Sequence, residues 1–243
     1  MITMFAAASA LMIGWAETDI TPPMDKKINL TGQYYFRVVD PADPVHSRLK
    51  FVAAAMQRGD EYFLMGTVDN VCTWGPWMEK VRRRVKELES EIDTDRLFIN
   101  SIHTHTGPDM RPTSMSRGFK EYFGHDEYQD FALEPAAQAF VQAWRTRKPG
   151  GVRRAFGSAR LGHCRLSHYA DGRAQMYGDT AHSDFVGMLE GEDDGVEMLF
   201  TVDADGRPNG LFVNAACPAQ TMEATYRISS DFVGEAREKL KKR

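Results

Sequence analysis

The sequence of 243 residues predicts an α/β protein with a mixed β-sheet, flanking helices and several β-hairpins. Apolar runs typical of strands alternate with segments of helical spacing, and turns rich in Gly, Pro and Asp separate them. That order of elements is typical of a sheet with helices packed on its faces. The last helical segment runs into the end of the sequence with no strand after it, so we expect an incomplete domain.

The first half of the chain supplies strands, one hairpin and two helices. An apolar run at residues 13–20 stops at Thr21-Pro22-Pro23, because proline cannot continue a strand ladder. Two later runs flank Arg58-Gly59-Asp60, which predicts a hairpin. The predicted elements are strand 13–20, ordered loop 24–47, strands 49–56 and 62–68, helix 79–92, strand 97–102, loop 107–126 and helix 128–147, which Pro135 could bend.

The second half of the chain predicts short strands and a final helix. The turn sequences Ala170-Asp171-Gly172 and Asp203-Ala204-Asp205-Gly206 separate these strands from the segments after them. The predicted elements are strands 152–158, 164–169, 196–203 and 210–215, and helix 231–242. We expect residues 13–243 to form one region that is truncated at its C-terminus.

The N-terminal segment 1–12 allows two interpretations. The first sixteen residues carry no charged side chain, as in a secretory signal, but the usual basic start is missing. The segment is therefore either a signal remnant or an ordinary N-terminus, and a cytoplasmic location is favoured over secretion. The run is too short to span a bilayer, so we expect no integral membrane segment.

Composition excludes several classes of protein. With 42% hydrophobic and 26% charged residues and a formal net charge of −4, the chain resembles an ordinary soluble globular protein. No nucleic-acid partner is expected, because phosphate binding needs a concentrated basic face. Three cysteines without a CxxC pair predict neither a disulfide framework nor a zinc knuckle.

A histidine pair is the strongest chemical signal in the sequence. His103 and His105 follow the apolar run 97–102 and precede Gly107-Pro108, which ends a strand. Strand side chains alternate, so we expect both imidazoles on one face at a strand end. Two imidazoles there can share one Zn²⁺, or divide the binding of metal and substrate between them. The alternative is two surface histidines at a strand terminus.

Four stretches of the sequence resemble motifs of the neutral/alkaline, non-lysosomal ceramidase family. The histidine stretch resembles the family's "GTHTHSGP" signature, which is fairly specific. The likeness covers nearly the whole chain but only the front part of the family's catalytic domain, and it is closest to shorter bacterial members. The matching stretches are Gly14 to Pro22 ("GxAxxDIT"), Val68-Asp69 ("SxD"), Ser101 to Pro108, and Ile228 to Gly234 ("SADFxG").

The resemblance implies zinc-dependent hydrolysis of an N-acyl amide bond, which in the best-known members is that of ceramide. It implies that His103 is a zinc ligand and that His105 contacts the substrate. Arg165 occupies the place of a substrate-holding arginine, although the preceding Asn of the family is absent; the alternative is an ordinary strand arginine. A small-molecule or lipid amide is the expected substrate.

The sequence departs from the family where a second zinc histidine is expected. Residues 216–222 contain no histidine. Cys217 as a thiolate and Gln220 through its amide oxygen are the candidate replacements, although Cys217 as a small buried side chain is the simpler interpretation. The family's remaining ligands would lie beyond Arg243. The competing hypothesis is therefore a catalytically silent or truncated module that lacks the distal metal ligands.

One acidic residue also follows a strand at the expected sheet edge. Asp69 comes directly after an apolar run and before Asn70. Two roles are equally compatible with that position: orienting a histidine, or capping the next segment of the chain.

Overall fold

The computed structural model describes residues 10–31, 37–111 and 126–242, which form two compact units. The first unit comprises Met1–Gly151, Asp203–Gly206 and Ala219–Arg243, and the second comprises Val152–Val202 and Arg207–Pro218. The strands are β1 (Met12–Asp19), β2 (Ile28–Leu30), β3 (Arg37–Val39), β4 (Lys50–Arg58), β5 (Glu61–Val68), β6 (Leu97–Ser101), β7 (Lys148–Ser158), β8 (Leu166–Tyr169), β9 (Ala174–Met176), β10 (Phe185–Met188), β11 (Gly195–Asp203) and β12 (Pro208–Ala215). The helices are α1 (Gly75–Leu88), α2 (Asp126–Arg145) and α3 (Asp231–Leu240).

The main sheet is mixed, which confirms the predicted α/β class. In the first unit its order is β7-β1-β4-β5-β6, and β2 and β3 form a separate pair. Strands β1, β4 and β5 are antiparallel neighbours, whereas β5 and β6 are parallel. In the second unit the order is β12-β11-β7, beside a small sheet β10-β8-β9. Strand β7 contributes to both units, so the main sheet counts seven strands.

Helix α2 packs on β1, β4 and β5 and against α1, and the core of the first unit lies between them. The ring of Phe51 on β4 meets Phe140 of α2 edge-on, with centroids 5.3 Å apart. On β1, Gly14 lets the strand approach α2 closely, because a Cβ there would lie 2.0 Å from the carbonyl oxygen of Ala143. No helix in the described ranges is long and apolar enough to cross a membrane.

Several predicted boundaries are wrong for identifiable reasons. Helix α1 begins at Gly75, four residues earlier than predicted, because Pro76 suits the first helical turn. The predicted helix included Ile92, which is buried, but α1 ends at Leu88. The segment predicted as an ordered loop contains β2 and β3. Strand β7 begins at Lys148, directly after the predicted helix 128–147 and four residues before the predicted strand 152–158. Of the predicted loop 107–126, residues 112–125 lie outside the described residues.

The sequence Asp19-Ile20-Thr21 at the end of β1 connects this strand to the start of β4. Asp19 Oδ1 accepts from the backbone N–H of Thr21, and Thr21 Oγ1 accepts from the N–H of Leu49. Burial raises the pKa of Asp19, but hydrogen bonds from Arg48 and Thr21 outweigh it and hold the pKa at about 2. These hydrogen bonds therefore fix the position of the chain at the end of β1 relative to the start of β4.

Candidate functional site

Strands β5 and β6 are parallel, so their carboxyl ends lie at the same end of the sheet. Strand ends of this kind are a common place for binding sites in α/β proteins. The backbone N–H of Ile102 still donates to Val68 O at 3.2 Å, and beyond it the chain leaves the ladder. The predicted site residues His103 and His105 come directly after it.

Two buried threonines connect the loop that follows β6 to the segment before α3 through hydrogen bonds. Thr104 Oγ1 donates to Ser229 O at 2.9 Å, and Thr106 Oγ1 donates to the same oxygen at 2.8 Å. The N–H of Ser229 donates back to Thr106 O at 3.2 Å. At Gly107 a Cβ would lie 3.2 Å from Asn70 Nδ2, whose amide donates to Pro108 O. These contacts therefore hold the loop on both sides and fix the backbone that carries His103 and His105.

The histidine pair is formed by a turn, and the strand-alternation argument for it is wrong. Strand β6 ends at Ser101, before either histidine. His103 has φ of 65°, in the left-handed region that non-glycine residues rarely adopt, and its side chain is exposed. The rings of His103 and His105 nevertheless lie close, with centroids 4.9 Å apart and planes tilted by 58°.

The side chain of His105 is buried between two polar groups from the segment after β12. Its exposed fraction is 6%. Nδ1 lies 3.3 Å from Oε1 of Glu223, and Nε2 lies 3.3 Å from Nε2 of Gln220. The structure thus brings together two predicted site residues, His105 and Gln220.

Glu223, which the sequence did not indicate as a site residue, completes this group. Gln220 Nε2 lies 3.3 Å from Oε2 of Glu223, so His105, Gln220 and Glu223 all contact one another. The signal in the sequence was the spacing of Gln220 and Glu223, three residues apart, with Glu223 directly after the segment 216–222 that the family resemblance singled out.

Asp231 holds the turn that carries Gln220 and Glu223. Its carboxylate is buried and accepts from the backbone N–H groups of Thr221 at 3.2 Å and Met222 at 2.7 Å. Asp231 has φ of 56°, in the left-handed region that non-glycine residues rarely adopt. The family-like stretch Ile228 to Gly234 is therefore the scaffold of the site.

Asp69, which follows β5, does not orient a histidine. Its buried carboxylate accepts from Arg237 Nη1 and Nη2 of α3 at 2.9 and 2.6 Å, and from the N–H of Lys50. Burial raises the pKa of Asp69, and the Arg237 guanidinium opposes that rise. The residue joins α3 to the sheet, which neither of the two predicted roles anticipated.

Arg165 and Cys217 belong to the second unit. Arg165 lies just before β8, so it is not the strand residue that the sequence predicted, and its Nη1 donates to Tyr177 Oη at 2.6 Å. Tyr177 has φ of 54° and an exposed ring. The half-buried thiol of Cys217 donates to Leu161 O at 3.2 Å. The substrate role of Arg165 and the zinc role of Cys217 stay predictions.

Comparison with known proteins gives matches to solved structures only. No protein-family model matches the sequence, and no curated protein matches it. Two matching structures are the neutral ceramidase from Pseudomonas aeruginosa and a ceramidase complexed with C2. Each has a TM-score of 0.69 and 17% sequence identity, and each match covers 94% of this chain. The chain spans only 35% and 34% of those ceramidase chains, so it has the fold of part of a neutral ceramidase.

Proposed function

We propose that this chain carries part of the catalytic domain of a ceramidase-like hydrolase that cleaves N-acyl amide bonds. The observation that carries the proposal is the His103–His105 pair, whose rings lie 4.9 Å apart just beyond the end of a parallel strand. The same pair stands in the stretch that resembles the family's histidine signature. The shared fold supports the proposal, and a lipid amide is the expected substrate.

Amide hydrolysis needs a proton acceptor for the attacking water, a donor to the oxyanion and a proton for the leaving nitrogen. His105 is a buried imidazole that lies between Glu223 and Gln220, so we assign it either the proton transfers or the oxyanion contact. Arg165, with its five N–H donors, is assigned to a polar group of the substrate.

Zinc dependence belongs to the proposal through the family resemblance, with the exposed imidazole of His103 as the ligand that this chain supplies. The other predicted ligands, Cys217 and Gln220, face other partners in this structure. The Cys217 thiol contacts Leu161 O, and the Gln220 amide nitrogen faces His105 and Glu223. Across the described ranges, no group of three His, Cys, Asp or Glu side chains is placed to hold a metal ion. No catalytic step is therefore assigned to zinc.

The test combines metal analysis with an amidase assay on the purified chain. Replacement of His103 by Ala should abolish both zinc content and the hydrolysis of a short-chain fluorescent ceramide analogue. His163→Ala is the matched control, because His163 is an exposed histidine that lies beside Glu192 in the second unit. Zinc content and turnover that stay unchanged in His103→Ala would rule out the assignment.

A catalytically silent ceramidase-like module is the second candidate function. The observation that favours it is the orientation of Gln220, whose amide nitrogen meets His105 and Glu223, where the family resemblance calls for a metal ligand. A folded wild-type chain with neither zinc uptake nor turnover would support this candidate. Stoichiometric zinc together with turnover would eliminate it.

A further inference from the structure

Arg37 is the one lysine or arginine in the described ranges that is buried, with an exposed fraction of 1%. It is the first residue of β3. Burial of a cation is costly unless its N–H groups find acceptors inside the protein. The contacts of Arg37 therefore indicate what this charge does in the fold.

Strand β2 connects Arg37 to the loop that follows β6. Leu30 of β2 pairs with Arg37 on one side and forms a bridge with Pro108 on the other. The N–H of Thr31 donates to Gly107 O at 3.2 Å. The loop that carries the histidine pair is therefore fixed to the β2–β3 pair, close to the start of β3.

The guanidinium of Arg37 contacts two segments of the candidate site. Its Nη2 donates to His105 O at 3.3 Å, and its Nη1 donates to Thr225 O at 3.4 Å. Both distances are slightly longer than an ordinary N–H···O bond, which suits a planar fork that reaches two separate carbonyls at once. Arg37 has a further interaction as well. One side chain thus connects the backbone of the histidine loop to the segment after β12.

Thr225 closes the turn that carries Gln220 and Glu223. Its N–H and its Oγ1 donate to Met222 O at 2.9 and 2.8 Å. The N–H of Met222 in turn donates to the buried carboxylate of Asp231 at 2.7 Å. These contacts make one unit of the turn, so a displacement of Thr225 would also displace the side chains of Gln220 and Glu223.

We propose that Arg37 is a positioning residue that fixes the backbone of His105 relative to the turn that carries Gln220 and Glu223. The inference rests on the proposed amide hydrolysis, in which a small misplacement of the imidazole is costly. Arginine suits the task, because its rigid fork offers separate nitrogens to the two carbonyls. A lysine at this position keeps the charge but offers a single nitrogen.

Hydrogen exchange followed by NMR tests the inference without any activity. Arg37→Lys should speed exchange by about 10-fold or more at the amides of Thr106 and Thr225, one in each connected segment. Amides of the core strands β4 and β5 should exchange as in the wild type. Arg82→Lys is the matched control, because Arg82 Nη2 also donates to a backbone carbonyl, that of Leu97 at 3.1 Å, and it should leave both amides unchanged.

Three results in a folded Arg37→Lys would overturn the inference: unchanged exchange at both amides, faster exchange at only one of them, or faster exchange throughout the sheet. The wild type decides if that variant fails to fold. Its Arg37 Nη1 and Nη2 groups should give separate, slowly exchanging NMR signals, because each nitrogen donates to its own carbonyl. Averaged signals would overturn the inference as well.

The amidase assay tests the catalytic part. Arg37→Lys should lower kcat by up to about 100-fold with little change in KM, because the imidazole shifts while the substrate contacts stay. Arg82→Lys should leave both constants unchanged. A wild-type kcat in an Arg37→Lys with faster exchange at both amides would contradict the positioning role. Absence of turnover in the wild type would count against the proposed function alone, since hydrogen exchange still shows whether Arg37 connects the two segments.

Discussion

At the scale of single residues, strained backbone conformations occur at or beside the candidate functional residues. His103, Tyr177 and Asp231 are the non-glycine residues with positive φ in the described part of the chain. One belongs to the histidine pair, one holds Arg165, and one braces the turn beneath His105. Strained backbone persists where the surrounding contacts fix it, and such residues cluster at functional sites. His103 and Asp231, both in the first unit, therefore agree with the proposed site.

Gly14 is the residue whose replacement should be most costly for packing. Its missing side chain lets β1 meet the backbone of α2, since a Cβ would lie 2.0 Å from Ala143 O. A backbone atom cannot rotate away, so Gly14→Ala should lower the free energy of unfolding by about 3 kcal/mol, the upper range for overpacking. Urea unfolding measures this.

The matched control for Gly14 is Gly75→Ala, at the start of α1, where a Cβ would meet nothing within 4 Å. We expect a change of about 0.5 kcal/mol or less in that variant. Equal stability of Gly14→Ala and the wild type would show that β1 and α2 are farther apart than described.

At the scale of secondary-structure elements, a buried ion pair connects α3 to the sheet. The Asp69 side chain is fully buried after β5, and Arg237 of α3 is 17% exposed and contacts both carboxylate oxygens. The segment just before α3 also anchors the histidine loop through Ser229 O. The position of this helix therefore bears on the candidate site.

Removal of the arginine should be strongly destabilising, because it leaves a buried carboxylate without its cation. We expect Arg237→Ala to reduce the free energy of unfolding at neutral pH by about 3–5 kcal/mol. Lys80→Ala, which breaks a largely exposed pair with Asp130, should cost about 1 kcal/mol or less. Recovery of stability in the double variant Asp69→Asn, Arg237→Met would confirm the cause. A small loss in Arg237→Ala would contradict it.

At the scale of the whole molecule, the chain corresponds to about a third of the ceramidase chains that share its fold. In the first unit, helices α1 and α2 belong to the core that covers one face of the sheet. The other face exposes 44% of Phe63 on β5 and 63% of Phe98 on β6. These residues share a face, because Phe98 pairs with Met65, two residues after Phe63.

Exposed apolar side chains on a sheet promote association, so Phe98→Thr should raise solubility and reduce the binding of a hydrophobic dye. The free energy of unfolding should change by only about 0.5 kcal/mol, since the side chain is mostly exposed. Asn100→Thr, on the same face of β6, is the control. Equal dye binding by the two variants would show that the dye does not bind at Phe98.

Local patterns explain the parts of the fold and site that the sequence predicts. The hairpin at Arg58-Gly59-Asp60 results from turn chemistry between two apolar runs, and its glycine has φ of 60°. The apolar run 97–102 before His103 and His105, together with Gly107-Pro108 after them, made the two histidines a candidate pair. Segments without a long apolar period, such as β2, β9 and β10, are too short to stand out from loops.

The sequence by itself determined the α/β class, most of the strand and helix positions, and the choice of the histidine pair, because these depend on residues that are neighbours along the chain. Only the tertiary structure decided that Gln220 reaches His105, 115 residues away, and that Arg237 meets Asp69, 168 residues away. The physical reason is that these contacts form only when folding brings distant parts of the chain together. Packing of the whole fold sets which polar groups meet, and no local period or turn signal encodes that.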